Sequence, residues 1–397
     1  MSHGATDTRW GVVLPVVAVG IVTALMVGKM PPSLPSLRDE LGLDLVTAGW
    51  VASAFNLCAA LLGVAAGIAA DRAGPIRAMT VGLALVAAGG ALGALSMGPA
   101  TLIASRLIEG LGFVAAVVAA PGVLIASAAV RDRNLVLGLW SAYLPAGAAV
   151  ALLATPLLLE AIGWRGVWVI GALLAGTGAL AVRSLKAQAP AASGAPRRFD
   201  DVRAALTLPG PWLYAACFLV YSVQFFAVMT WIPTFLIESQ GFGLAAAATA
   251  GALVVLANVG GTLAGTAAMH RGAPRWSLLI GAYVPMMACA WAIFDPAAPD
   301  VMRVPAAVVL SLVGGLLPAA SLAGAPQHAR RPQEAATCSG VVVQGANTGS
   351  LLGAPIMAVT VDALHGWGDA WWMLSAFGCV GIVLAMVLRV VERRRFA

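Results

Sequence analysis

The stretch GVAAGIAADRAGPIR, residues 63–77, recurs without a gap as GTLAGTAAMHRGAPR at residues 261–275, an offset of 198 positions. Three glycines and the closing arginine are kept in both copies: Gly63/Gly261, Gly67/Gly265, Gly74/Gly272 and Arg77/Arg275. Two shorter echoes follow at a similar distance, LLATP (152–156) with LLGAP (351–355) and GWRGVW (163–168) with GWGDAW (366–371). The chain is therefore predicted to consist of two copies of one structural unit.

The composition indicates that both copies lie in a membrane. Of 397 residues, 60% are hydrophobic and 10% charged, and the mean hydropathy is +0.92. A soluble domain carries about 25% charged residues, and a stretch of about 20 apolar residues crosses a bilayer. Twelve such spans are predicted, near residues 10–30, 46–68, 76–97, 100–127, 134–158, 165–185, 211–236, 244–268, 275–294, 304–325, 337–361 and 368–389.

The length of these apolar runs predicts helices. They are long and continuous instead of short and alternating, which favours an all-α polytopic protein over a β-barrel. No small-residue cleavage site follows a short apolar region near the start, so the first run is expected to be a retained span. Five cysteines lie in apolar segments without CxxC spacing, and no cluster of His, Cys and Asp is evident. Neither a metal site nor a cofactor is predicted.

Basic residues predict the orientation of the chain. With a cytoplasmic N-terminus, eighteen of the 23 basic residues fall on the cytoplasmic side: Arg9, Arg72, Arg77, Arg131, Arg133, Arg183, Lys186, Arg197, Arg198, Arg203, Arg271, Arg275, Arg330, Arg331, Arg389, Arg393, Arg394 and Arg395. The opposite side holds Arg38, Arg165 and Arg303. Because positive charge near span ends stays inside, both termini are predicted to be cytoplasmic. The net charge of +6 is thereby explained without nucleic acid.

A polar stretch divides the chain near its middle. Residues 186–208, KAQAPAASGAPRRFDDVRAALTL, interrupt the apolar pattern with Pro, Ser, Gly and charged residues. The predicted organisation is an N-terminal six-helix bundle (1–185), a cytoplasmic linker (186–208) and a C-terminal six-helix bundle (209–397). Repeats that run in the same direction through the membrane are typical of transporters with two pseudo-symmetric halves.

Two motifs carry a resemblance to a known family. GIAADRAGPIR (67–77) is similar to the loop signature GxxxDRxGRR between spans 2 and 3 of the major facilitator superfamily (MFS), and RLIEGLGFVAA (106–116) is similar to its span-4 signature RxxxGxG. The resemblance covers the whole chain and implies the MFS fold and transport. Span 5, LWSAYLPAGAAVALL (139–153), lacks the GPxxGG pattern of drug/proton antiporters. GKMPPSLP (28–35) and VQGANTGSLLGAP (343–355) resemble the cyanate-permease-like branch.

The loop signature implies a gate. The resemblance assigns this role to Gly67, Asp71, Arg72, Gly74 and Arg77, with Asp71 docked on the N-terminal end of span 11. Met269 and His270 replace Asp71 and Arg72 in the second copy, so the latch is expected on one side only. The paired glycines either allow neighbouring helices to slide or simply pack them closely.

Arg106 and Glu109 are charged residues inside span 4. Arg106 lies roughly a turn and a half from the outer end of the span, and Glu109 follows on the same helix face. An arginine at the centre of an inserting helix costs about 2.5–3.5 kcal/mol, so it is expected to face the interior. One interpretation is a local ion pair that orders the helix. The other combines substrate binding by Arg106 with proton coupling by Glu109.

Lys29 ends the first span and has two interpretations. In the first, the stem lies in lipid while the ammonium group reaches the headgroups. In the second, the ammonium group lines a water-accessible cavity with Arg106 and binds substrate. The other candidate substrate-binding residues are Tyr143, Tyr221, Gln224, Gln344 and Asn347. Such side chains more often form interhelical hydrogen bonds. Trp140 and Trp231 fit an apolar wall or an interface, and the expected interfacial belt comprises Trp164, Trp168, Trp367, Trp371 and Trp372.

These features predict a secondary active transporter. No GxxxxGK[ST] motif is present, so a gradient is expected to drive transport. Two interior cations and one carboxylate favour a small anion and proton symport in the cell inner membrane. Proton-coupled efflux of amphipathic drugs or metabolites is the alternative, and a receptor or membrane enzyme is disfavoured. The expected partners are an anionic solute, protons and membrane lipids, with no nucleic acid, and the chain is expected to act as a monomer.

Overall fold

The computed structural model describes residues 7–185, 199–331 and 334–396, and the regular structure in these ranges is helical. Its helices are α1 (Trp10–Gly28), α2 (Met30–Leu41), α3 (Leu45–Ala73), α4 (Pro75–Ala94), α5 (Pro99–Ser127), α6 (Arg133–Ser141), α7 (Tyr143–Ser184), α8 (Phe199–Leu206), α9 (Pro209–Gln240), α10 (Leu244–His270), α11 (Arg275–Phe294), α12 (Asp300–Gly314), α13 (Leu316–Gly324), α14 (Ala335–Ala363) and α15 (Ala370–Phe396).

Most of these helices are long and apolar enough to cross a membrane. Ten stretches of the described ranges meet both conditions. One of them, Val130–Ser184, contains two crossings, because Gly163 breaks α7 with a backbone φ of 68°. Helix α14 is long enough for a further crossing at 29 residues, although Gln344 and Asn347 make it more polar. The prediction of an all-α fold with twelve membrane helices is confirmed.

Proline and glycine set the helix ends. Pro75, Pro99 and Pro209 are the first residues of α4, α5 and α9, where a missing N–H leaves no hydrogen bond unmade. Gly42 and Gly241 end α2 and α9 in the left-handed conformation, with φ of 62° and 66°. This conformation suits glycine because it has no Cβ.

The repeated loop contains a glycine with a similar positive φ in both copies. Gly74 separates α3 from α4 with a φ of 89°, and Gly272 lies between α10 and α11 with a φ of 90°. Such angles are strained for residues with a side chain. The conserved glycine of the sequence repeat is thus explained by a turn that only glycine adopts readily.

The first compact unit comprises Met1–Asp44 and Ala54–Ala195. Within it, α4 and α5 pack closely because small residues face each other. A Cβ at Gly82 would lie 2.6 Å from the Gly112 carbonyl oxygen, and a Cβ at Gly89 would lie 2.7 Å from the Glu109 nitrogen. Close backbone approach through glycine is the usual way to pack helices in a membrane, and here it brings α4 against the charged part of α5.

The second compact unit comprises Leu45–Ser53 and Pro196–Ala397. Its helix α14 packs on α9 through Gly345, Gly349 and Gly353, where a side chain would overlap or crowd the α9 backbone. The predicted linker begins in residues 186–198, which lie outside the described residues, and its last part forms α8. The domain boundaries at 185 and 209 therefore stay a prediction.

Candidate functional site

Lys29 lies at the junction between α1 and α2. Pro31 and Pro32 follow after Met30. They lack the N–H groups that would bond the carbonyls of the preceding turn, which ends α1 at this point. The junction is pressed against α7, since a Cβ at Gly28 would overlap the Ala148 carbonyl oxygen. Ser33 Oγ donates to the Lys29 carbonyl oxygen at 2.7 Å. The lysine therefore projects from a fixed backbone position.

Arg106 and Glu109 lie on α5, three residues apart. Arg106 Nη1 donates to Glu109 Oε2 in a charge-assisted hydrogen bond. Lys29 Nζ donates to the other carboxylate oxygen, Glu109 Oε1, at 2.7 Å. One carboxylate thus bridges two cations, one on each oxygen. We call Lys29, Arg106 and Glu109 the ion triad.

The ion triad is buried and carries a formal charge of +1. The relative exposures of Lys29, Arg106 and Glu109 are 3%, 1% and 0%. Removing three charges from water is expensive, and buried ion pairs often contribute little net stability. Arg106 Nε also has no acceptor among the described residues. A structural role alone gives this arrangement little physical advantage, whereas ionisable groups within membrane helices commonly serve transport.

Two aromatic rings face the cations of the ion triad. Lys29 Nζ lies 4.2 Å from the ring centroid of Trp168, and the Arg106 guanidinium lies 4.7 Å from that of Phe55. Both distances fall within the range of cation–π attraction, which strengthens away from water. Met26 Sδ adds a weak contact to Lys29 Nζ at 3.4 Å.

The structure corrects the interfacial belt. Trp168 is fully buried against Lys29, so its assignment to the belt is wrong. Trp164 is also buried, and its Nε1 donates to Glu40 Oε2 at 2.6 Å. Only the repeated GWxxxW spacing distinguished these tryptophans in the sequence, and it did not identify their partners. Trp372 is exposed on α15, in keeping with a belt position.

Two of the predicted polar residues of the second unit, Tyr221 and Gln224, make neutral hydrogen bonds. Asn258 Nδ2 donates to the Tyr221 hydroxyl oxygen at 2.5 Å and to the Ser311 carbonyl oxygen at 3.0 Å. Gln224 is buried and donates to the Val220 carbonyl oxygen at 3.4 Å, while its Oε1 has no donor within the described part of the chain. Neutral interhelical hydrogen bonds are the common use of such side chains.

Three further candidates are half-buried. Gln344 and Asn347 lie on α14 of the second unit. Tyr143 belongs to the first unit and stacks on Trp140 with ring centroids 4.4 Å apart. It packs against a hydrophobic cluster that does not contain the ion triad. Of the predicted substrate-binding residues, the structure therefore brings Lys29 and Arg106 together around Glu109.

The predicted gate residues surround the end of α3. Arg72 and Arg77 are exposed on either side of the Gly74 turn. The backbones of Gly67 and Asp71 are helical, and the Asp71 side chain lies outside what is described. The docking of Asp71 on span 11 stays a prediction.

Each unit also contains one tryptophan–carboxylate hydrogen bond. Trp164 Nε1 donates to Glu40 in the first unit, and Trp367 Nε1 donates to Glu238 Oε2 at 3.0 Å in the second. Glu40 and Glu238 are 198 positions apart, the offset of the loop repeat. In the first unit Arg165 forms an additional ion pair with Glu40, and the matching residue of GWGDAW is Gly368.

The described helices hold no group of three or more His, Cys, Asp or Glu side chains arranged for a metal, and the five cysteines are free thiols. Membrane-crossing helices in repeated units, with an ion triad buried in one of them, define a multi-pass membrane protein built on a transporter-like plan. Residues 16–344 match the family model of the Major Facilitator Superfamily. The chain belongs to the Major Facilitator Superfamily.

Individual relatives differ in function. The chain is 28% identical over 254 residues to the Probable sulfoacetate transporter SauU of Cupriavidus necator, a match that covers 58% of each chain. It is 29% identical over 160 residues to the Methylenomycin A resistance protein of Bacillus subtilis, which covers 40% of this chain and 34% of that protein. The chain thus spans less than two thirds of the length of the curated relatives it matches.

A solved structure shares the fold across the chain. It is a bacterial homolog of the human lysosomal transporter Spinster in an inward-facing and occupied conformation, with a TM-score of 0.80, 15% identity and coverage of 98% of both chains. At this identity the likeness shows the fold alone. The MFS fold is therefore confirmed, and the placement in the cyanate-permease-like branch stays a prediction.

Proposed function

We propose that this protein is a secondary active transporter that moves a small anion together with a proton. The observation that carries the proposal is the Glu109 carboxylate between the buried cations Lys29 and Arg106. The Glu109 carboxylate occupies the place between the two cations in which an anionic solute would bind. Proton and anion are therefore linked through one group.

The linkage follows from the charge of the ion triad. With Glu109 ionised and no solute, the formal charge is +1. Protonation of Glu109 weakens its hold on both cations and raises this charge to +2, and a bound monoanion restores +1. The loaded and empty forms thus carry equal charge, whereas a monoanion moving alone into a negative cytoplasm costs about 2.3 kcal/mol per 100 mV. Proton entry removes this cost.

The proposed substrates are small carboxylates and sulfonates. Lysine and arginine together suit such oxyanions, because arginine offers a planar fork of donors and lysine a compact charge. The similarity to a sulfoacetate transporter supports this class. We assign an orienting role toward the solute to Tyr143, Tyr221, Gln224, Gln344 and Asn347.

The setting of transport is the cell inner membrane. The excess of arginine in the loops assigned to the cytoplasm supports cytoplasmic N- and C-termini. We propose a monomer that alternates between two open states, with Gly67, Asp71, Arg72, Gly74 and Arg77 controlling the cytoplasmic side. The left-handed turn at Gly74 supports the importance of that loop.

Uptake into proteoliposomes tests the proposal. Labelled sulfoacetate, acetate and cyanate are offered with and without an imposed inward proton gradient. Wild-type protein is expected to show gradient-stimulated uptake of at least one of them. Glu109→Gln keeps the size of the side chain but removes the titrating proton, so stimulation is expected to fall about tenfold or more. Glu160→Gln, a change at an exposed carboxylate, is the matched control.

Two results would count against anion symport. Gradient-stimulated uptake by a folded Glu109→Gln variant at the wild-type level removes the proton role. Thermal stabilisation of the protein by the transported anion that survives both Lys29→Ala and Arg106→Ala removes the cationic site. Normal elution of each variant in size-exclusion chromatography verifies that it is folded.

Efflux of amphipathic drugs or metabolites is the second candidate function. Its support is the similarity to the Methylenomycin A resistance protein. Expression in a drug-sensitive strain distinguishes the two. Increased resistance without anion uptake favours efflux, and anion uptake without resistance favours symport.

A further inference from the structure

Of the two rings that face the ion triad, Trp168 has the shorter distance between ring centroid and cation. It lies in the second half of α7, five residues after the break at Gly163, and is fully buried. Its ring is held on two sides. The ring of Trp164 contacts it edge-on, with centroids 5.6 Å apart and an angle of 89°, and a side chain at Gly93 would overlap it. Trp168 therefore has little freedom to move.

The Lys29 ammonium group needs such a fixed surface. It has three N–H donors, and two of its neighbours are Glu109 Oε1 at 2.7 Å and the weak acceptor Met26 Sδ at 3.4 Å. The Trp168 ring is a third neighbour, with its centroid 4.2 Å from Nζ. Lysine is a flexible side chain with several rotatable bonds. A rigid ring beside Nζ limits the directions in which the ammonium group can turn away from Glu109.

The second unit contains the same tryptophan spacing without the cation. Trp367 and Trp371 correspond to Trp164 and Trp168 in the GWxxxW echo, and Trp367 repeats the hydrogen bond to a glutamate. Trp371 instead stacks on Trp372, with centroids 4.0 Å apart. At the offset of the repeat, the residue that matches Lys29 is Ala227. The contact between tryptophan and ammonium group thus belongs to the unit that holds the ion triad.

We infer that Trp168 is a positioning residue, whose ring holds the Lys29 ammonium group against Glu109 and so sets the anion affinity and the proton linkage of the ion triad. This inference rests on the proposed function. When Glu109 is protonated, its attraction for Lys29 falls and the ring is the contact that keeps Nζ in place. The ammonium group then stays available to an arriving anion instead of turning toward lipid or solvent.

Amine reactivity tests the positioning role without a substrate. The sequence has two lysines, Lys29 and Lys186, so Lys186 serves as an internal reference. Purified full-length protein is reductively methylated with formaldehyde and dimethylamine borane across a pH series, and mass spectrometry gives the Lys29-to-Lys186 ratio. Trp168→Leu is expected to raise this ratio about tenfold, and Trp168→Phe, which keeps a weaker ring, about threefold. Trp371→Leu, the matched control, is expected to leave it unchanged.

Uptake kinetics give the second measurement. In proteoliposomes, Trp168→Leu is expected to raise KM for the transported anion about tenfold with a smaller change in kcat, and to shift the pH profile of uptake. Trp168→Phe should recover most of the affinity, which a merely space-filling role would not require. If Trp168→Leu does not fold, Trp168→Phe carries the comparison, with an expected threefold rise in KM.

The results separate the two proposals. A Lys29-to-Lys186 ratio that is unchanged in the Trp168 variants, or that rises equally in Trp371→Leu, overturns the positioning role and leaves symport in place. Absence of gradient-stimulated anion uptake in wild-type protein counts against symport alone, because amine reactivity still reports whether Trp168 holds Lys29.

Discussion

The two units share a backbone plan but differ in buried charge. Both have a left-handed glycine turn in the repeated loop and a tryptophan–glutamate hydrogen bond. The first unit buries Lys29, Arg106 and Glu109, and the residues at the repeat offset are Ala227, Val304 and Ala307. Arg303, one residue before the position that matches Arg106, donates to the Ile293 carbonyl oxygen at 2.7 Å and pairs with Asp300 Oδ1 at 2.9 Å.

This difference teaches that the repeat supplies the scaffold, whereas the ion triad is confined to one copy. Tyr221 and Asn258 of the second unit form a neutral interhelical hydrogen bond, and such bonds are worth about 0.6–2 kcal/mol in a membrane. Breaking a buried ion pair by removing one partner costs about 3–5 kcal/mol. Equivalent substitutions in the two units should therefore differ strongly in effect.

The largest expected effect is that of Glu109→Ala. This change leaves Lys29 and Arg106 buried side by side without their carboxylate, so the free energy of unfolding is expected to fall by about 3–5 kcal/mol. Gln224→Ala, at an equally buried neutral residue of the second unit, is expected to lower it by about 1 kcal/mol. Denaturant unfolding in detergent micelles, followed by tryptophan fluorescence, measures both.

Comparison of the two stability losses also separates the effect of buried charge from the effect of packing. Equal losses in Glu109→Ala and Gln224→Ala would contradict a net positive cluster in the first unit. A second-site change of Lys29→Met in the Glu109→Ala background removes one of the two unpaired cations. It is expected to restore part of the lost stability.

The second-largest expected effect concerns close helix packing at glycine, which both units share. A Cβ at Gly110 would overlap the Phe55 carbonyl oxygen in the first unit, and a Cβ at Gly261 would overlap the Leu312 carbonyl oxygen in the second. Each substitution by alanine is expected to cost about 1–3 kcal/mol, because well-packed helices must move apart. Only Gly110→Ala is expected to change KM for the anion, since Phe55 also faces Arg106.

Thermal unfolding of both variants and uptake by both variants check this pair. An unchanged KM in Gly110→Ala would mean that the α3–α5 contact does not set the position of Arg106. A changed KM in Gly261→Ala would mean that the second unit contributes to affinity as strongly as the first.

The sequence predicted the scaffold because the scaffold is local or repeated. Apolar runs of about 20 residues predict membrane helices, and proline and glycine mark their ends. The Gly74 and Gly272 turns follow from one residue type at equivalent places in a repeat. The pairing of Arg106 with Glu109 can also be predicted from the sequence, because it is local: residues three apart share a helix face.

The rest depends on contacts between distant residues. Lys29 lies 80 positions from Glu109, and periodicity within one helix cannot specify which helix comes next to it. The sequence predicts Trp168 in the interfacial belt because a tryptophan near a span end has the same local pattern whether it faces headgroups or a buried cation. The lysine that decides between these two uses lies at the junction between α1 and α2, far from Trp168 in the sequence.

The smallest expected effect is that of Tyr221→Phe in the second unit. The change removes the hydroxyl group that accepts from Asn258 Nδ2, but Asn258 still donates to the Ser311 carbonyl oxygen at 3.0 Å. The expected loss of stability is therefore about 0.6 kcal/mol, the average for such bonds in a membrane. Denaturant unfolding measures the loss, and Phe225→Leu, at a partly buried ring that stacks on Tyr221, separates the hydroxyl from ring packing.

Uptake by Tyr221→Phe tests whether the second unit affects anion affinity without affecting the proton linkage. Tyr221 is a proposed orienting residue without charge, so Tyr221→Phe is expected to raise KM modestly, by about threefold, as loss of one neutral hydrogen bond implies. The pH profile should stay that of the wild type, because Glu109 is untouched. A displaced pH profile would place part of the proton linkage in the second unit and would contradict its assignment to the ion triad alone.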